Sequence, residues 1–150
     1  MKPTRRGLFG MMLAFGASAL VRVRGEVGVM TTFSNRAHLY VRPEVKERLV
    51  SCLTSVFGCV GPASLNAPGL AEPILAFRFP GGGSISFEFR ADALEEADAR
   101  RAAWLEVKTD DVPRLQQAIL DAGLTQLRHP ATSTFYCVLP GGQVVGIVAA

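Results

Sequence analysis

The sequence repeats itself, and this internal repeat constrains the fold more than any other feature. The segment HLYVR at residues 38–42 is echoed by WLEVK at residues 104–108. In both copies apolar and polar residues alternate, which is the pattern of a strand that buries one face. The first residue of each copy, His38 or Trp104, should therefore lie on the face opposite the two apolar residues. Duplication of this kind predicts two similar halves that build one domain.

After each of these strands, the apolar residues recur at three- and four-residue steps, which predicts an amphipathic helix. The recurring residues are Val45, Leu49, Leu53 and Val56 in the first half and Val112, Leu115, Ile119 and Leu120 in the second. Pro43 and Pro113 lie near the predicted helix starts, where a missing N–H costs nothing. Gly58 and Gly123 follow the helices, where a left-handed C-cap is favoured.

Each half then ends in a predicted hairpin with a Pro-Gly-Gly turn. The hairpin strands are residues 74–79 with 84–89, and residues 133–139 with 143–148. One further short strand precedes each hairpin, at residues 59–65 and 124–128. Residues 90–101 form a linker that is expected to be partly helical. The Asp110-Asp111 pair suits the positive end of the second helix dipole, so we assign it to capping rather than catalysis.

Composition agrees with one ordinary folded domain, since 49% of the 150 residues are hydrophobic and 19% are charged. The net charge is +3. No basic stripe interleaved with aromatic residues is present, so no nucleic-acid partner is expected. The three cysteines show no CxxC spacing, and neither a zinc ribbon nor a disulfide framework is predicted. We expect free, buried thiols, and leave open a Cys52–Cys59 bridge in an exported protein.

The first thirty residues differ from the rest. Basic residues precede an apolar run at residues 8–21, which is the layout of a secretory signal. The segment TRRGLF at residues 4–9 resembles a twin-arginine export signal, although the usual order places Phe before Leu. Two interpretations stay open: export through such a signal, or a cytoplasmic protein whose translation starts at Met30 after a wrongly assigned extension. In either case this segment is too short and too rich in glycine for a stable membrane span.

The duplicated β-α-β-β-β arrangement resembles the vicinal-oxygen-chelate superfamily, which includes glyoxalase I, extradiol dioxygenases, fosfomycin-resistance enzymes and bleomycin-binding proteins. The phrases WLEVKTDD at residues 104–111 and PGGQVV at residues 140–145 are similar to that superfamily's second module. The resemblance implies an α+β fold in which two βαβββ modules form a curved mixed sheet around a cup. The expected organisation is an N-terminal extension at residues 1–30 and one domain at residues 37–148, with module one at 37–89, a linker at 90–102 and module two at 103–148.

In the metal-dependent members of the superfamily, the ligands come from the first and last strands of each module. The resemblance places His38 and Glu88 at these two positions in module one. In module two the positions match Trp104, whose indole N–H has no lone pair to donate, and Gly146, which has no side chain. Because zinc and iron sites generally take at least three protein ligands, we expect the usual metal site to be incomplete and no cofactor to be bound. If a divalent metal such as Zn, Ni, Fe or Mn is held, its ligands would be His38, Glu88 and Glu106.

The remaining side chains expected on the cup face suit an organic ligand, because aromatic and hydrogen-bonding groups line such pockets. The predicted ligand-binding residues are Tyr40, Ser86, Arg90, Trp104, Glu106 and Tyr136. Trp104 would either stack on a flat ligand or fill the space of a lost metal. Arg90, if it faces the cup, would favour an anionic ligand. His129 precedes Pro130 in a turn and is expected to be exposed to solvent.

His38 and Glu88 are also the candidate catalytic residues. A carboxylate beside an imidazole orients the ring and raises its proton affinity, so the pair could act as general acid and base. An inert buried ion pair is the alternative.

These residues leave several functions open. The leading hypothesis is a metal-free protein of the drug-resistance kind that binds a small organic ligand, anionic or aromatic. The alternative is a divalent-metal-dependent lyase, isomerase or dioxygenase. An interaction module is a third interpretation, and a homodimer is plausible because short edge strands are available for pairing.

Overall fold

The computed structural model describes residues 34–150, which form one compact unit. The signal-like segment and Met30 lie outside the described residues. The strands are β1 (Arg36–Val41), β2 (Val60–Leu65), β3 (Ile74–Arg78), β4 (Ser84–Phe89), β5 (Trp104–Thr109), β6 (Thr125–Leu127), β7 (Phe135–Val138) and β8 (Val144–Ala149). The α-helices are α1 (Lys46–Ser51), α2 (Glu96–Ala99) and α3 (Val112–Asp121).

The strands of residues 34–150 form two four-stranded mixed sheets with the same topology. Their strand orders are β1-β4-β3-β2 and β5-β8-β7-β6. In each sheet the first strand of the module pairs in parallel with the last, and the other pairs are antiparallel. The predicted α+β class and the duplicated β-α-β-β-β order are therefore confirmed, with each module contributing a sheet of its own.

The helix-facing sides of the two sheets share one hydrophobic core. Leu49 of α1 and Ile119 of α3 are fully buried in it. Leu39, Leu105 and their alternate neighbours point into this core, as the alternation predicted. The opposite faces of both sheets are exposed only in part, since Val144 on the second sheet and Glu88 on the first are buried. Tyr40 keeps 53% and Trp104 keeps 51% of its surface exposed on these faces.

Both helix ends follow the sequence signals. Gly58 and Gly123 adopt positive φ angles of 65° and 71°, the conformation that favours glycine after a helix. Asp111 caps α3, because its side chain accepts a hydrogen bond from the backbone N–H of Arg114 at 3.0 Å. The capping role predicted for this acidic pair is thus confirmed for Asp111.

The first helix is less regular than its apolar spacing predicted. A 3₁₀ turn at Pro43–Val45 precedes α1, and a π-helical turn at Cys52–Val56 follows it. The hydroxyl of Thr54 donates a hydrogen bond to the carbonyl of Val50 at 2.8 Å. Such side-chain bonding to the preceding turn competes with the regular helix pattern.

All three cysteines are free and buried, as expected. Burial raises the pKa of the Cys52 and Cys137 thiols to about 12 and that of Cys59 to about 11. The structure contains no Cys52–Cys59 bridge. Within residues 34–150, no helix is long and apolar enough to span a membrane.

Candidate functional site

The candidate site in module one is built on two adjacent parallel strands. In the β1 and β4 register, His38 lies opposite Ser86, and Tyr40 lies opposite Glu88. Alternation then places all four side chains on the open face of the sheet. The His38 Nδ1 atom is 2.9 Å from the Ser86 hydroxyl, and the His38 Nε2 atom is 3.6 Å from a Glu88 carboxylate oxygen. The two predicted catalytic residues are therefore neighbours, with Ser86 on the other side of the imidazole.

Burial differs sharply between the two members of this pair. The Glu88 side chain is only 11% exposed, whereas that of His38 is 38% exposed. A carboxylate so far from solvent is stabilised by nearby positive or hydrogen-bonding groups. His38 and Arg90, whose Nη1 atom lies 3.4 Å from the carboxylate, are the groups that face it.

Arg90 is held by acidic neighbours. Its guanidinium donates two hydrogen bonds to Asp92, at 2.8 and 2.9 Å, and lies 5.5 Å from the centre of the Tyr40 ring. The bond to Asp92 raises the pKa of Arg90 and lowers the pKa of Asp92. An anionic ligand at Arg90 would therefore have to compete with Asp92 and Glu88 for the same positive charge.

Two open grooves flank this arginine. One, of about 250 Å³, is lined by Tyr40, Arg90, Asp92, Ala93 and Leu94. The other, of about 350 Å³, is lined by Glu88 to Asp92 together with the loop at Gly69, Leu70 and Ala71. Glu88 is thus one of the residues that line the second groove, although its side chain is only 11% exposed.

The candidate site in module two is an aromatic cluster. Three rings from three different segments meet there: Trp104 of β5, Tyr136 of β7 and His129 of the loop between β6 and β7. Their ring centres are separated by 5.0 Å (Trp104 to Tyr136), 5.5 Å (Trp104 to His129) and 6.2 Å (His129 to Tyr136). Distances of this size are those of favourable aromatic pairs.

Tyr136 occupies the place that Gly146 leaves. The two residues lie opposite each other on β7 and β8, and a Cβ atom added to Gly146 would come within 2.9 Å of the Tyr136 Cε1 atom. The ring therefore lies directly over the glycine. At the position where the resemblance places a metal ligand, this chain has the face of an aromatic ring.

The strand register in the two sheets supports the equivalence of Glu88 and Gly146. Ser86 lies opposite His38, and Glu88 follows two positions later. Val144 lies opposite Trp104, and Gly146 follows two positions later. Glu88 and Gly146 thus hold the same place in the two sheets.

His129 is where the sequence-based expectation was wrong. It is half-buried rather than exposed, and its Nδ1 atom accepts a hydrogen bond from the N–H of Ala131 at 3.2 Å. The pairing of Leu127 with Tyr136 carries the following loop back over the sheet and brings His129 to Trp104. Only the strand pairing reveals this proximity, because the three aromatic residues have no regular spacing in the sequence.

The two clusters make no direct contact with each other in the described part of the chain. Among residues 34–150, no hydrogen bond, ion pair or ring contact joins the module-one group around His38 to the module-two group around Trp104. Glu106 lies opposite Gly146 in the second sheet, whereas Glu88 belongs to the first. The predicted ligand set His38, Glu88 and Glu106 is therefore not assembled within the described chain.

The donor groups do not fit a metal of the usual kind. The described residues contain no group of three or more His, Cys, Asp or Glu side chains placed to hold a metal ion. His38 and Glu88 together supply two donors, and protein sites for zinc or iron generally need three.

The comparisons with known proteins identify the fold. No family profile and no curated protein matches the sequence. Solved structures do match. TnmS3, an antibiotic binding protein from Streptomyces sp. CB03234, has a TM-score of 0.59 at 16% identity, over 81% of this chain and 98% of its own.

Two further structures share the same architecture. The glyoxylase/bleomycin resistance protein/dioxygenase domain from Frankia sp. EAN1pec has a TM-score of 0.61 at 12% identity, over 81% of this chain and 93% of that one. The fosfomycin resistance protein FosX from Listeria monocytogenes, solved with Mn(II) and sulfate, has a TM-score of 0.61 at 15% identity, over 81% and 94%. The chain therefore has the glyoxalase/bleomycin-resistance fold of the vicinal-oxygen-chelate proteins, as the resemblance of its sequence implied.

Proposed function

We propose that this protein binds a small organic molecule with an aromatic part on the open faces of its two sheets, without the metal ion usual for the fold. The observation that carries the proposal is the ring of Tyr136 lying over Gly146 beside Trp104 and His129. A ligand surface made of aromatic rings favours planar apolar groups over a coordinated cation.

The residues proposed to contact the ligand are divided between the two sheets. Trp104 and Tyr136 supply the aromatic surface, with Glu106 on the same face of β5. Tyr40, Ser86 and Arg90 supply the polar contacts on module one. An antibiotic-binding protein and a fosfomycin resistance protein with the same fold support a small-molecule role.

The two half-sites suggest how the pocket is completed. Within residues 34–150 the two half-sites make no direct contact, and each exposes one large aromatic residue, Tyr40 or Trp104. The four edge strands, β1, β2, β5 and β6, are each paired on one side only. We propose a homodimer in which the module-one face of one chain meets the module-two face of its partner, so that one pocket receives both sets of residues.

Trp104 makes the ligand test direct, because it is the only tryptophan of the chain. A library of small aromatic and anionic compounds is first screened by thermal shift, since a ligand that binds the folded state raises the melting temperature. Hits are then titrated while the emission of Trp104 is followed, and their affinities are measured by calorimetry. Trp104→Ala should weaken binding about tenfold, Trp104→Phe less, and Leu120→Ala on the opposite side of the domain not at all.

Two outcomes would count against this proposal. One is a broad library without a hit. The other is a hit whose affinity is the same in the wild type and in Trp104→Ala. Binding should also survive treatment with a chelator.

The alternative of a divalent-metal-dependent lyase, isomerase or dioxygenase makes an opposite prediction. It is favoured by the Mn(II) in the FosX structure and by the presence of His38 and Glu88. Such an enzyme, purified without chelator, would hold stoichiometric metal that His38→Ala removes. Chelation would then abolish its function.

A further inference from the structure

Two side chains flank the His38 imidazole in an arrangement that ligand binding alone does not require: Ser86 is hydrogen-bonded to one ring nitrogen, and the Glu88 carboxylate lies within ion-pairing distance of the other. The Ser86 hydroxyl lies 2.9 Å from Nδ1 of the imidazole, and a Glu88 carboxylate oxygen lies 3.6 Å from Nε2. A hydroxyl on one ring nitrogen and a carboxylate on the other is the geometry that activates a serine nucleophile. We propose that Ser86, His38 and Glu88 form such a relay and that Ser86 Oγ accepts an acyl group from small activated esters.

The relay requires the neutral imidazole to carry its proton on Nε2, the ring nitrogen that faces the Glu88 carboxylate. Glu88 is almost entirely removed from solvent, and its negative charge favours a proton on the Nε2 atom that faces it. The Nδ1 atom is then an acceptor and can receive the hydrogen of the Ser86 hydroxyl. Ser86 has one competing acceptor, the carbonyl oxygen of Ala37, but at 3.3 Å that contact is longer than the 2.9 Å to His38.

The reaction follows from these positions. As Ser86 Oγ forms a bond to the acyl carbon, its proton passes to Nδ1 of His38. The bond from the acyl carbon to the leaving oxygen then breaks, and His38 returns the proton to that oxygen, releasing an alcohol. Water, activated by the same nitrogen, adds to the acyl-serine, so that a carboxylic acid leaves and Ser86 is restored. Glu88 acts as a positioning residue through His38.

The position of Ser86 also restricts the substrate. It lies inside β4 with strands on both sides, so the neighbouring backbone N–H groups take part in sheet pairing. Losing one dedicated donor to a developing oxyanion costs about 10²–10³ in rate in serine enzymes. We therefore expect esters with good leaving groups, such as aryl esters, to react, and amides to be inert. This inference can fail separately from the proposed ligand-binding function, because covalent labelling of Ser86 tests the relay, whereas the Trp104 variants test ligand binding.

Covalent labelling of the full-length protein tests the relay directly. A fluorophosphonate probe forms an Oγ–P bond with an activated serine and expels fluoride, which adds a fixed mass seen by intact mass spectrometry. We expect one adduct, mapped to Ser86 by peptide sequencing, and an initial burst of p-nitrophenol from p-nitrophenyl acetate. Ser86→Ala should abolish both. Ser84→Ala, two residues earlier on the same face of β4, should leave both unchanged.

Variants of His38 and Glu88 should change the labelling kinetics in different ways. His38→Asn should lower the labelling rate by about 10²–10⁴-fold, which is the contribution of a general base. Glu88→Gln should lower the maximal labelling rate while the probe concentration for half-maximal rate stays the same, and Glu88→Asp should restore part of the rate. If Glu88 were only structural, its variants would instead change the melting temperature, measured by circular dichroism. The labelling rate of the folded fraction would then stay the same.

The proposal is overturned by any of three results. These are a folded wild type that is not labelled, a Ser86→Ala variant labelled like the wild type, and an adduct mapped to another residue. None of these results bears on the ligand-binding proposal, which is tested with the Trp104 variants.

Discussion

At the residue scale, burial in the shared core controls the chemistry of the cysteines. Cys52 and Cys137 are surrounded by apolar side chains, and the charged thiolate is disfavoured there. Because a thiol must ionise to react, we predict that all three cysteines of the folded protein resist Ellman's reagent at pH 8. Unfolding in guanidinium should release three reactive thiols. Rapid modification of the native protein would show that the core is open at these positions.

The raised pKa values of the three thiols also predict how the free energy of unfolding changes with pH. In the unfolded chain the thiols lose their protons near the ordinary value of 9.0, whereas in the folded chain they keep them to about 11 or 12. The folded state binds more protons in this interval, so its free energy of unfolding falls as the pH rises above 9. A Cys52→Ala/Cys137→Ala variant should lose less stability between pH 9 and 11 in urea titrations, and an equal loss would contradict the assignment.

At the scale of elements, the two hairpin turns offer a matched comparison. Gly82 and Gly142 occupy the same turn position, each donating a hydrogen bond to the residue three positions earlier, and both have positive φ angles, 101° and 88°. Their surroundings differ. A Cβ atom at Gly82 meets open space, whereas one at Gly142 would lie 2.8 Å from the Cβ atom of Ala99 on α2. The second turn is thus packed against the linker between the modules, and Gly141 donates a hydrogen bond to Glu96 of the same helix at 3.2 Å.

Alanine at these two positions should therefore have unequal effects. Gly82→Ala introduces only the strain of a left-handed conformation, about 1–2 kcal/mol. Gly142→Ala adds overpacking against α2, about 1–3 kcal/mol more. Urea unfolding of both variants measures the difference. Equal losses would mean that the contact between the turn and the linker helix contributes little to stability.

At the scale of the whole molecule, the proposed homodimer predicts which surface residues control assembly. Size-exclusion chromatography with light scattering should give twice the chain mass for the wild type. Trp104→Glu and Tyr40→Glu place a charge on the faces proposed to meet, and should shift the protein to the monomer. Leu120→Glu is the control, since Leu120 is 45% exposed on α3, away from both faces. A monomeric wild type, or dissociation by the Leu120 variant alone, would contradict the arrangement.

Much of the fold was predictable because its signals are local and occur twice. The alternation around Leu39 and Leu105 marks strands with one buried face, and Gly58 and Gly123 mark helix ends through a conformation that few other residues adopt. The irregular turn at Cys52–Val56 was missed, since the apolar spacing of that segment suits a regular helix.

The candidate site, too, was predictable from the sequence only in part. The sequence by itself indicated two equivalent modules through its repeat and strand period, and its resemblance to the vicinal-oxygen-chelate proteins implied that Trp104 and Gly146 stand where metal ligands would be expected. Only the tertiary structure decided that Tyr136 covers the glycine, that His129 joins the aromatic cluster and that Ser86 lies beside His38. Those contacts depend on which strands pair and in which register, and pairing between distant segments is set by the packing of the whole core rather than by any local pattern.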